Sequence, residues 1–132
     1  MGKKRRSVQE TTAAVVEETV AVEDEQTSAN LRANLEEISK YDGVIGYILR
    51  NTTSATIDVK DPTKIVDYAV LSSSAFEAGK EFSELFDLDK IENILIEGND
   101  VKVISLSLGD NKVSVFMEKK ANHDKVLRKL QI

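Results

Sequence analysis

The chain has 132 residues, 41% hydrophobic and 31% charged, with a formal net charge of −5, a single His, a single Pro, and neither Cys nor Trp. One ordinary domain fits this length and two do not. Disulfides, thiolate zinc sites and thiol nucleophiles are excluded, the lone His123 denies one chain a multi-His metal centre, and the acidic balance argues against a nucleic-acid-binding domain.

Residues 1–27 read as a flexible charged tail. It opens on Lys3, Lys4, Arg5 and Arg6, ends near Glu23, Asp24 and Glu25, and carries no aromatic residue. Ala13, Val16 and Val20 share helical spacing, so a transient amphipathic helix is the alternative. The stretch after the basic cluster is too polar for a secretory core, and Arg6 stands where a myristoylation signal needs Ser or Thr. No apolar run approaches the roughly 18 residues of a membrane-spanning helix, and a cytoplasmic location is expected.

From Ser28 the pattern sharpens. Leu31, Leu35 and Ile38 recur at helical spacing, with Thr27 or Ser28 as N-cap and a stop near Asp42-Gly43. Val44 to Leu49 is almost continuously apolar, as in a strand covered on both faces. After Asn51-Thr52-Thr53-Ser54 a second strand alternates Ala55, Ile57 and Val59 with Thr56, Asp58 and Lys60, which suits a sheet edge. Asp61-Pro62 is a strong helix start, predicting a helix from Pro62 to about Phe86. Three strands follow: Ile91 to Glu97, Val101 to Leu108, and Lys112 to Lys119, the last two joined by a Gly109-Asp110-Asn111 hairpin. Asn122 caps a short final helix with Val126, Leu127 and Leu130 facing inward. The expected fold is α+β, in the order α-β-β-α-β-β-β-α. It is a five-stranded antiparallel sheet with the long helix on one face and the N- and C-terminal helices on the other.

In the long helix Ile65, Tyr68, Ala69, Leu71, Ala75, Phe76, Ala78, Gly79, Phe82 and Phe86 share an arc of roughly 180°, wider than a helix resting on one sheet needs. Gly79 costs about 1 kcal/mol inside a helix and points to a close backbone approach. A two-fold copy of the same helix would supply both features, and a monomer with a deeply seated helix is the alternative. The opposite arc carries Asp67, Ser74, Glu77, Lys80, Glu81 and Glu84 around two apolar residues, Val66 and Val70. It reads either as ordinary surface or as an apolar contact with a polar rim.

With the elements in this order, residues from about Ser28 to Leu130 resemble the roadblock/dynein light chain family. The resemblance rests on "YDGVIGYILR", on "VDYAVLSSSAFEAGKEF" in the long helix, and on "ENILIEGNDVKVISLSLGDNKVSVFMEKKAN" leading into the last helix. Gly43 and Gly46 match the family's Gly-containing entry to the first strand, and Asn122 its Asn before the last helix. Where family members often carry Gly or Asp-Gly in the first hairpin, this chain has Asn51-Thr52-Thr53-Ser54. The resemblance marks 28–132 as a roadblock-like domain. It implies a homodimer, or a pair with another roadblock-like subunit, through the third strands and the long helices. The implied interface is Ala75, Gly79, Phe82, Ile94, Leu95 and Ile96. Family members act as scaffolds or regulators of Ras-like GTPases, and in bacterial gliding-motility regulators the long helices face the GTPase. Carried over, that surface is Val66, Asp67, Val70, Ser74, Glu77 and Glu81.

The sequence carries no GxxxxGK[ST] phosphate loop, and Gly43-Val44-Ile45-Gly46 lacks the third Gly of a dinucleotide fingerprint. Ser72-Ser73-Ser74 sits mid-helix without a partnered base, and His123 reads as an exposed imidazole. No catalytic residue, cofactor or metal is expected. Two other readings remain open. One is a small-molecule sensor with a pocket between helix and sheet. The other is an anionic-surface binder using Lys3, Lys4, Arg5 and Arg6 with Lys119, Lys120, Lys125, Arg128 and Lys129, whose binding would weaken steeply with salt.

Overall fold

The computed structural model describes residues 29–131. The chain divides into two units, Met1–Leu31 and Arg32–Ile132. The tail at 1–27 and the candidate caps Thr27 and Ser28 lie outside the described residues. The second unit holds most of a helix, α1 (29–38), and all that follows.

Strands β1 (Val44–Arg50), β2 (Ala55–Val59), β3 (Asn93–Glu97), β4 (Val101–Leu108) and β5 (Asn111–Glu118) form one five-stranded sheet in the order β2-β1-β5-β4-β3. Every neighbouring pair is antiparallel. Helices α2 (Ile65–Phe86) and α3 (His123–Leu130) complete the expected α+β arrangement. Edge positions fall to β2, as its alternation predicts, and to β3.

Register sorts the side chains. Ile48, Ser114, Ser105 and Ile94 follow one another across one face, and α2 covers it. Tyr68, Ala69 and Leu71 pack on Ile48, Val103 and Phe116, and the Tyr68 ring stacks on Phe116 at a centroid distance of 4.5 Å. The opposite face holds the larger core. There Leu35 and Ile38 of α1, Val113, Val115 and Met117 of β5, and Val126 of α3 are all buried. A Lys129–Glu37 ion pair at 3.0 Å ties α3 to α1.

The turns follow their chemistry. Asn51 Oδ1 accepts from the backbone N–H groups of Thr53 and Ser54, each at 2.9 Å, so an Asx turn closes the β1–β2 hairpin without glycine. Asp61 accepts from the Thr63 N–H at 3.0 Å and the Thr63 hydroxyl at 2.7 Å. These two bonds hold its carboxyl below the usual carboxylate range. The first turn after Pro62 is a 3-10 turn, Pro62–Lys64, closed by Lys64 N–H on the Asp61 carbonyl at 3.0 Å. α2 therefore begins at Ile65, three residues after the predicted start. It ends on Asp87 in the left-handed conformation, φ 58°, with Leu88 N–H returning to the Ser83 carbonyl. Asn122 caps α3 by accepting from Lys125 N–H at 3.1 Å.

A polar chain runs beneath α2. Ser114 Oγ lies 2.7 Å from both Ser72 Oγ of the helix and Ser105 Oγ of β4, and all three residues are buried. This pairing explains a serine within the apolar arc of α2. Each hydroxyl satisfies another where water does not reach. Ser114→Ala strands the other two hydroxyls and is expected to lower stability by about 2 kcal/mol, read as a lower urea midpoint at unchanged m-value.

Candidate interaction surface

α2 is longer than the sheet can cover, and its exposed residues fall into two surfaces. The first is its outward ridge. Val66, Asp67, Val70, Ser74, Glu77 and Glu81 are all exposed and lie opposite the buried Ser72, Ala75 and Gly79. Val66 is 72% and Val70 60% exposed. The geometry thus gathers the six residues of the sequence-derived partner surface on one stripe, a small apolar centre with an acidic rim. Burying two exposed Val is favourable, and the surrounding carboxylates set the sign of charge a partner must present.

The second surface is apolar and lies at the C-terminal end of α2 and the β3 edge. Phe82 is 51% exposed, its ring 6.3 Å from that of Phe86. Leu85, Phe86 and Leu88 are exposed as well, and on β3 Leu95 and Ile96 are each 38% exposed. β3 pairs only with β4, leaving one side of its backbone open among the described residues. Such an edge with apolar side chains is a template for pairing with another strand.

The six residues expected at a dimer interface do not lie together on this second surface. Phe82 and Ile96 are exposed on the α2 side, Leu95 is exposed on the opposite face of the sheet and Ile94 is half-buried, but Ala75 and Gly79 are buried on the underside of α2 against the chain's own sheet. The close approach expected at Gly79 exists, and it is intramolecular. A Cβ at this position would stand 2.6 Å from Ile94 Cδ1 and 3.8 Å from Ile91 Cδ1. β3 starts at Asn93 rather than at the expected Ile91, whose side chain lies beside Gly79. The wide apolar arc thus has two causes: its middle covers the sheet, and its end, from Phe82 onward, overhangs it.

Two further features escaped the sequence reading. Leu85 and Leu88 enlarge the apolar end, and the only hint was a leucine on an otherwise polar arc. His123 is not the free imidazole expected: its side chain is 27% exposed, and Nδ1 accepts from Lys102 Nζ at 2.9 Å. That bond gives the buried Lys102 ammonium a partner on the α3 side of the sheet. In the basic cluster near the C-terminus, Lys129 is engaged with Glu37 and Lys125 lies 4.3 Å above the Tyr41 ring. No helix among the described residues is long and apolar enough to cross a membrane.

No protein-family model matches the sequence, and no curated protein is matched by it. Solved structures do share the fold. A roadblock/LC7 domain from Streptomyces avermitilis matches at a TM-score of 0.61 and 11% identity, over 77% of this chain and 86% of that one. MglB of Myxococcus xanthus matches at 0.63 and 12%, over 78% and 80% of the two chains. A further MglB structure, described with a tetrameric arrangement, matches at 0.60 and 14%, over 80% and 82%. The chain has the roadblock/LC7 fold.

Proposed function

We propose that this protein is a non-enzymatic, cytoplasmic adaptor or regulator that self-associates through β3 and the end of α2 and binds a Ras-like small GTPase on the outer ridge of α2. The observation that carries the reading is the exposed Val66–Val70 pair with its acidic rim, on a roadblock fold whose resemblance points to GTPase partners. The apolar overhang and open β3 edge support self-association, as does the tetrameric arrangement of an MglB with the same fold. Pairing two β3 edges would satisfy open backbone groups, bring Ile96 and Phe82 on the α2 side toward the second copy, and set Leu95 beside it on the opposite face. The partner would present basic residues around an apolar centre, matching Asp67, Glu77 and Glu81.

The test is light scattering coupled to size exclusion, with the protein alone and mixed with each Ras-like GTPase of its organism, loaded with GDP or a GTP analogue. A dimer that shifts with the analogue-loaded form supports the proposal, and a strict monomer that shifts with none overturns it. Val70→Asp places a charge at the centre of the ridge. It is expected to weaken GTPase binding about 30-fold while leaving the oligomeric state and fold unchanged.

A further inference from the structure

At the end of the sheet where β1 finishes and β5 begins, α2 and the strands enclose a groove of about 730 Å3. Arg50 and Lys112 line it, and their positions are unusual. They are direct partners in the β1–β5 register, so two cations stand opposite each other on the face that α2 covers. Like charges directly opposite in an antiparallel pair oppose folding. No carboxylate among the described residues comes within ion-pair distance of either. Both instead rest over one ring: Arg50 Cζ is 5.6 Å and Lys112 Nζ 5.7 Å from the Phe76 centroid. The ring holds the two side chains together without neutralising them.

Glu77, Glu84 and Asp89 also line the groove. They make no ion pair with Lys80 or Lys90, which line it too, among the described residues. Among the described residues, then, no carboxylate of the groove neutralises the cationic pair. The groove is far larger than one inorganic phosphate and falls in the range of small-molecule sites.

We propose that this groove binds a small organic oxyanion, a phosphorylated or polycarboxylate molecule, whose charged group bridges the Arg50 guanidinium and the Lys112 ammonium. An oxyanion bound there would offset the repulsion between the half-buried Arg50 and the exposed Lys112, both of which already rest over Phe76. Neither cation lies on the outer ridge of α2, although Glu77 borders both the ridge and the groove.

The experiment is isothermal titration of the full chain with pyrophosphate, ATP and citrate at low ionic strength, with thermal unfolding measured in parallel. At least one probe is expected to bind saturably, one per chain, with affinity falling as salt rises. Arg50→Gln and Lys112→Gln are each expected to weaken that binding about tenfold. Lys120→Gln, at an exposed lysine paired with Glu118 away from the groove, is expected to leave it unchanged. A second readout needs no ligand: Lys112→Gln relieves the repulsion, so the anion-free protein should melt at a higher temperature. A purely structural role for the cations over Phe76 predicts the reverse. Failure of all three probes to saturate, equal affinity in the variants, or a lower melting temperature for anion-free Lys112→Gln would each overturn the proposal.

Discussion

Replacing Phe116 with alanine is expected to cost about 4 kcal/mol, the upper part of the range for a fully buried aromatic. Phe116 is fully buried in β5, faces α2 between Gly46 and Val103, and packs in one cluster with Ile48. Its ring stacks on Tyr68 at 4.5 Å with the planes 14° apart, so truncation removes both transfer energy and an aromatic contact. The sheet cannot collapse into the space, because β5 is held on both sides by β1 and β4. A domain of this size holds roughly 5–15 kcal/mol in total, and the expected fall in melting temperature is about 20 °C. Thermal unfolding followed by circular dichroism checks this. Phe116→Leu, which fills most of the volume, should lose about a third as much.

Gly46→Ala is the second large effect, and it acts through the backbone. Gly46 sits at an irregularity in β1, paired with Val59 on one side and Phe116 on the other. An added Cβ would run into the Asp58 carbonyl oxygen and stand 2.7 Å from Val59 Cα. Backbone atoms cannot rotate aside, so β2 must part from β1 and give up ladder hydrogen bonds. The expected cost is about 3 kcal/mol. Native-state hydrogen exchange localises it: amides of β2 should lose protection first, while those of β4 and β5 stay protected. At Gly79 the obstructing atom is instead the tip of the Ile94 side chain, which can turn. Two glycines equally plain in the sequence thus guard different things, a strand pairing and a helix seat.

Local chemistry made most of the fold readable in advance. β4 spans Val101–Leu108 as expected. Asp61, Asn122 and the Gly109 turn act where their side chains or conformational freedom required. The outer ridge of α2 was legible as well, because helical periodicity alone gathers Val66 and Val70 among acidic residues. What stayed hidden depends on elements meeting. Gly79 advertised a close neighbour without saying whether that neighbour was another chain or Ile94. Ser72 looked merely small until β4 and β5 brought Ser105 and Ser114 beneath it. The Arg50–Lys112 pair exists only because the β1–β5 register sets them opposite each other, and a single-residue slip would send one of them to the other face. His123 looked exposed because nothing near it in sequence revealed Lys102.

The two sheet edges differ in charge, and for the proposed dimer that difference bears on where assembly would stop. β3 offers Leu95 and Ile96 at an open edge; β2 exposes Ile57 to a similar degree but sets the exposed Asp58 beside it, with Lys60 following and its Nζ donating to the Val44 carbonyl. If like edges join, as in the proposed dimer, both copies spend the same strand and no second β3 remains to recruit a third chain. If unlike edges joined, each addition would regenerate the one before it and the sheet would grow without limit. For the proposed dimer, the Asp58 carboxylate at the β2 margin would oppose unlike pairing and favour a finite particle over a filament.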